Sequence, residues 1–164
     1  MEVSLRFVVI VAVALLFLVG VVLLIGWRLP PLREGRAEMK IAAPPERVLA
    51  VIADVEAQPE WRKGIARVTL MPEGWDEVTA RGETIRIVAD EMSVERVRLR
   101  FTSDRGYAGT WEAQLVPEGG GTRISVVERA EIRSPIGRIL ARLMFDPEAF
   151  ATTYLAELRE RSEG

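Results

Sequence analysis

The chain contains neither cysteine nor histidine. Without Cys there are no disulfides and no thiol chemistry, and the redox compartment stays open. Without His the commonest metal ligand and the commonest general base at neutral pH are both missing. Lysine is scarce as well, standing only at 40 and 63, so nearly every basic residue is Arg. We read that as the coding bias of a GC-rich genome and not as a binding signal. Formal net charge is −2, whereas a nucleic-acid binder shows a basic excess on one face. Nucleic acid is therefore not an expected partner.

What is present is a globular balance, 49% hydrophobic and 28% charged over 164 residues, enough for one domain and an appendage. From Phe7 to Ile25 every residue is apolar or Gly. At about 1.5 Å per residue this run spans roughly 28 Å, close to a hydrocarbon thickness of about 30 Å. Trp27 and Arg28 follow, as an interfacial aromatic and a snorkelling cation would. A buried core helix rarely lacks any polar position over so many turns. A cleaved signal has a shorter apolar core, about 7–15 residues, and an A-x-A-like site, which "GWRLPPLREG" does not offer. Residues 1–28 are accordingly read as a retained single-pass membrane anchor, 29–35 as a stiff linker around Pro30 and Pro31, and 36–164 as the domain. On the N-terminal side the flank carries Glu2 and Arg6; on the other, Arg28, Arg33, Arg36 and Lys40. Lys and Arg alone count for orientation, which places the domain in the cytoplasm.

Within the domain, "RAEMKIAAP" alternates as a strand does, and "PPERVLAVIADVEAQ" repeats its apolar residues at helical spacing behind Pro45. The stretch "VIADVEAQPEWRKGI" then breaks at Pro59 and sets Trp61 where a surface turn is normally polar. About six strand-like runs follow, divided by turn signals. In "RVRLRFTS" Val97, Leu99 and Phe101 share one face and three Arg the other; in "GYAGTWEAQLV" Tyr107, Gly109, Trp111, Ala113 and Leu115 alternate. Ser134 and Pro135 suit the N-cap and first turn of a last helix, which Asp146-Pro147 kinks or restarts before Phe150, Tyr154, Leu155 and Leu158.

This order of elements resembles the START-like superfamily, the polyketide cyclase/dehydrase and lipid-transport family. The resemblance rests on "IAAPPERVLAVIADVEAQPEWRKGI", on Gly109-Thr110-Trp111, on "PEGGGTR" and on "SPIGRILARL", and covers residues 36 to 161. It implies an α+β helix-grip fold, a curved antiparallel sheet around a long C-terminal helix with an apolar cavity between them. Trp61 would then plug or rim one end of the cavity, or cap the core. The candidate lining is Trp61, Phe101, Tyr107, Trp111, Glu128, Leu143, Phe150 and Tyr154.

Three constellations bear on chemistry. "GGGT" at Gly119 to Thr122 precedes a strand and no Lys, so it is a hairpin turn and not a phosphate cradle. Asp90, Glu91 and Glu95 form an acidic turn; a metal needs several converging oxygens, and none is assigned. Glu128 stands out because Ile124, Val126, Glu128, Ala130 and Ile132 share one face by period two. An acid there is costly unless paired, so it serves as a polar anchor or acid/base in the cavity, pairs with an inward Arg, or turns outward at a bulge. The leading expectation is a membrane-anchored domain that binds a hydrophobic small molecule or lipid, without cofactor, metal or assigned catalytic residue. The alternatives are a polyketide cyclase/dehydratase-like enzyme working through Glu128, Tyr107 and Tyr154, and a membrane-tethered interaction module with a closed core.

Overall fold

The computed structural model describes residues 5–164. Glu2 lies outside the described residues, as does the side chain of Arg6, so the N-terminal half of the orientation argument has no structural counterpart. Helix α1 (Leu5–Arg28) carries the apolar run, with its side chains pointing almost entirely into the surroundings. Its length and composition suit a bilayer crossing, and a signal sequence meets the same two conditions.

The domain is one seven-stranded antiparallel sheet, built from β1 (Leu32–Ile41), β2 (Ile65–Met71), β3 (Gly74–Thr79), β4 (Thr84–Met92), β5 (Arg96–Ser103), β6 (Tyr107–Glu118) and β7 (Gly121–Ile132). Spatial order is β1-β7-β6-β5-β4-β3-β2, so the first strand closes one edge beside the last. Register shifts between Ile65 and Arg67 and between Ala89 and Glu91 bend the far strands, as bulges do. The β6–β7 hairpin turns through Gly119 and Gly120, both at positive φ, which settles "GGGT" as a turn. On the convex face the strand arginines pair with acids on neighbouring strands: Arg100 with Asp90 at 2.8 Å, Arg98 with Glu112 at 3.4 Å and Arg129 with Glu34 at 2.7 Å. Arg100 holds the Asp90 carboxyl below its usual range, and Glu91 accepts from the Ser93 hydroxyl at 3.3 Å. Those contacts engage two of the three acids, Asp90 and Glu91.

Helices α2 (Pro45–Ala53) and α3 (Gln58–Trp61) connect β1 to β2, and α4 (Pro135–Met144) and α5 (Pro147–Glu163) follow β7. Amphipathic α2 buries Val48, Val51 and Ile52, and α5 buries Ala151, Tyr154, Leu155 and Leu158. Together they cover the concave face in one core with Ile41, Val97, Ala113, Leu115, Ile124 and Val126.

One boundary differs from the expectation. Strand β1 opens at Leu32, which pairs with Glu131 and begins an unbroken register that ends at Ile41 opposite Thr122. Only residues 29–31, with both prolines, remain as linker. The C-terminal helix restarts at Asp146-Pro147, as the sequence suggested, and is two helices. Phe145 leaves the helical region at φ −135°, and Asp146 caps a new start by accepting from the backbone N–H groups of Glu148 and Ala149 at 3.0 and 3.2 Å. Only α5 is gripped by the sheet; α4 turns away beside α1.

Candidate functional site

The register lays the concave face out in rows that run across the strands. Val97, Ala113, Val126 and Ala37 form one row; Leu99, Trp111, Glu128 and Gly35 the next; Phe101, Gly109, Ala130 and Arg33 a third. Burial falls along this series. Val97, Ala113 and Val126 are sealed under α2 and α5, whereas Leu99, Phe101, Tyr107, Glu128, Ala130 and Ile132 are only half-buried. The half-open end is the one where β1 begins and β7 ends, next to α1 and α4. Gly109 is a packing requirement there, because a Cβ at this position would overlap the Arg129 carbonyl and the Phe101 ring.

An aromatic line marks the boundary between the two ends. The Tyr154 ring on α5 meets Trp111 edge-on at 5.3 Å and Trp61 at 5.9 Å, while Phe101 meets Tyr107 edge-on at 6.2 Å. Trp61 is the last residue of α3. It packs its ring on Tyr154, and outside it lies a groove edged by Glu60, Lys63, Glu157 and Arg161. The tryptophan after the broken helix is thus a wall between a charged groove and the concave face. Two of the expected lining residues are elsewhere. Leu143 sits on α4, 77% exposed, and Phe150 packs on Phe145 at 5.5 Å, 42% exposed. The helix break at Phe145 and Asp146 is the reason: it carries α4 and the first turn of α5 past the end of the sheet.

Behind the aromatic line lies a polar cluster that periodicity did not single out. Arg62 donates to the Glu77 carboxylate at 2.8 Å and to the Gln58 side-chain oxygen, and its guanidinium sits 5.4 Å from the centre of the Tyr154 ring. Trp75 Nε1 donates to the same Glu77 oxygen at 3.2 Å, and Gln58 Nε2 to the Ile52 carbonyl at 3.4 Å. Glu77 is 2% exposed. Its pairing with Arg62 offsets the cost of placing the carboxylate there. The period-two argument that marks Glu128 would have marked Glu77 too, since Trp75 and Glu77 alternate within "GWDEVT". Arg62 lies in an irregular segment and has no period to reveal it.

Glu128 points inward, as its face demands, but of the two inward Arg, Arg62 is engaged by Glu77 and Arg33 donates to the Phe145 carbonyl at 3.1 Å. Among the described residues no side chain donates a hydrogen bond to the Glu128 carboxylate. Burial pushes its carboxyl from 4.5 to about 7, with Arg62 opposing and Glu77 adding to the shift. One cation faces two carboxylates, so Arg62 cannot neutralise both. The Tyr107 and Tyr154 hydroxyls are driven above the ordinary phenol range, chiefly by burial and at Tyr107 also by Glu83. Both tyrosines are therefore neutral near pH 7 and can donate hydrogen bonds. The half-open end thus offers apolar side chains, Arg33 at the β1 edge, and one carboxyl that changes charge near neutrality.

The family described as polyketide cyclase / dehydrase and lipid transport matches residues 34–162. No curated protein sequence matches the chain. Solved structures share the fold at low identity. The Zhui aromatase/cyclase from Streptomyces superposes with a TM-score of 0.67 at 16% identity, covering 80% of this chain and 94% of that one. A START superfamily protein from Mycobacterium smegmatis gives 0.62 at 18%, covering 80% and 94%. Truncated norcoclaurine synthase from Thalictrum flavum gives 0.60 at 14%, covering 80% and 91%. A match across residues 34–162, on a curved seven-stranded sheet that grips a C-terminal helix, identifies the chain as a member of the polyketide cyclase/dehydrase and lipid-transport family, with a START-like fold.

Proposed function

We propose that the protein is a membrane-anchored binder of a hydrophobic small molecule or lipid, held against the half-open end of the concave face. The observation that carries this reading is the pair of half-buried rows holding Leu99, Phe101 and Ala130, where Arg33 stands at the β1 edge and the Glu128 carboxyl lacks a side-chain partner among the described residues. In this reading Leu99, Phe101 and Tyr107 contact the apolar body of the ligand, and Glu128 fixes its polar end by a hydrogen bond. Helix α1 keeps the domain at the bilayer, and the excess of Arg28, Arg33, Arg36 and Lys40 over Arg6 sets the domain on the cytoplasmic side.

Native mass spectrometry and lipid extraction of the full chain, purified in mild detergent, test the binder. A stoichiometric apolar adduct is expected, and Glu128→Gln should weaken it while leaving the fold intact. An adduct-free protein, or an adduct indifferent to Glu128→Gln, overturns the assignment. Resistance to an alkaline carbonate wash tests the anchor, and a mature N-terminus beyond Gly26 contradicts it. A reporter fused after Gly164 and active only outside the cytoplasm reverses the orientation.

One observation favours a second reading, a cyclase or dehydratase. A carboxyl at about 7 is poised to exchange a proton at neutral pH, as a general acid/base must. In that case Glu128→Gln abolishes turnover with binding nearly intact.

A further inference from the structure

Helix α4 is amphipathic in the wrong direction for a globular domain. At about 100° per residue, Ile136, Ile139, Leu140, Leu143 and Met144 fall within an arc of roughly 140°, with Arg138 and Arg142 opposite. Such an arc normally turns to the core. Here no residue of α4 is buried, and Ile136 and Leu140 are 49% exposed, Leu143 77% and Met144 73%. It is the polar side that faces the protein. Arg138 donates to the backbone carbonyls of Ile132 at 2.9 Å, Arg133 at 3.3 Å and Leu29 at 3.4 Å. The exposed arc continues through Phe145 and Phe150, whose rings lie 5.5 Å apart. At its other end it meets α1, where Gly26 is buried against Pro135.

That junction says what covers the arc. Gly26 directly follows the apolar run, at the depth where a crossing helix leaves the hydrocarbon, and Trp27 beside it is 75% exposed. The apolar surface of α4 is therefore continuous with that of α1 at interfacial depth. From Arg133 to Phe145 the segment holds three Arg and no acid, the pairing of charge and apolar arc that suits an anionic lipid surface. We propose that α4 lies in the interface of the bilayer that α1 crosses, its apolar arc among the upper acyl chains and Arg142 towards the headgroups. The half-open end of the concave face, which adjoins α1 and α4, then opens onto the membrane surface. A hydrophobic ligand enters from the bilayer without passing through water. The proposal rests on the insertion of α1, and deepens the binding reading by naming the lipid surface as the partner of this face.

The absence of Cys makes the test direct, because any introduced thiol is unique. Full-length single-Cys variants Ile136→Cys, Leu140→Cys, Leu143→Cys and Arg142→Cys, with Leu16→Cys in α1, are labelled with an environment-sensitive dye. All five positions are exposed, so the labels do not disturb packing. The proteins are reconstituted in phosphatidylcholine–phosphatidylglycerol vesicles. Labels at 136, 140 and 143 should shift to the blue and be quenched by lipids carrying a shallow nitroxide, while 142 is quenched by aqueous iodide and 16 by a deep nitroxide. If 143 is as open to iodide as 142 while 16 is quenched deep in the bilayer, the anchor stands and the seating of α4 is refuted. A label at 16 open to iodide refutes both. If 143 is shielded from iodide and nitroxide alike, and the shielding is lost when unlabelled lipid dilutes the protein, a second copy covers the arc and the lipid surface does not.

Discussion

The two ends of the concave face are made by the same strands, yet α2 and α5 seal one and leave the other half-exposed. At the sealed end Val97, Ala113, Ile124 and Val126 are 0–1% exposed under Leu155 and Leu158. At the other end the same strands present Leu99, Phe101, Tyr107 and Glu128 only half-buried. The difference comes from the helix break at Phe145 and Asp146, which moves the chain before Pro147 off the sheet. One end carries the stability of the fold, and the other is the surface assigned above to the proposed ligand. Arg62 and Glu77 sit close to the border between them.

The largest expected effect tests that border. Arg62→Ala leaves Glu77 buried without its cation and should cost about 3–5 kcal/mol, read as a fall in the denaturation midpoint followed by tryptophan fluorescence. A loss below 1 kcal/mol would mean that the pair holds nothing together. Next comes the contrast itself. Leu158→Ala at the sealed end should cost about 4 kcal/mol, and Leu99→Ala at the open end about 1 kcal/mol, because a half-exposed site leaves less cavity behind. Equal costs would erase the distinction between the ends.

The third effect depends on pH. Because the folded value of Glu128 is raised from 4.5 to about 7, the native state keeps a proton that the unfolded chain has already released. This group therefore favours folding below pH 4.5 and loses that advantage as pH rises through 7. Allowing for partial exposure, the loss should reach about 2 kcal/mol by pH 8 and vanish in Glu128→Gln. Parallel stability–pH curves for the two proteins would contradict the inward placement. Smallest of all, Leu143→Ser should shift stability by no more than about 0.5 kcal/mol, since Leu143 touches little of the domain. A larger loss in chemical denaturation would return α4 to the core.

Much of this was legible in the chain because periodicity reports which side faces in. The alternation through Tyr107, Trp111 and Leu115 and through Ile124, Val126 and Glu128 placed both strands with their inner faces correct. Ser134 caps α4 as its position suggested, accepting from Gly137 N–H at 3.2 Å. Periodicity could not say where a helix leaves the core. Leu143 and Phe150 continue an apolar stripe in the sequence, and only the break at Asp146 turns them outward. It was also silent on partners across the fold. The Arg62–Glu77 pair joins a residue just past α3 to one on β3, and that choice left Glu128 without a cation of its own.

The junction at Gly26 limits how far the domain can travel. Three residues, Leu29 to Pro31, separate α1 from β1, a span of about 10 Å at most. Leu29 and Pro31 are both tied down, through Arg138 at 3.4 Å and the Ile132 N–H at 2.9 Å. A side chain at 26 would collide with Pro135, so helix and domain share one joint without slack. If α1 spans a bilayer, the domain cannot swing out to a second membrane or detach as a shuttle. On the binding reading, a ligand would then reach it by lateral diffusion in two dimensions, and encounter would scale with surface density in the leaflet instead of with concentration in solution.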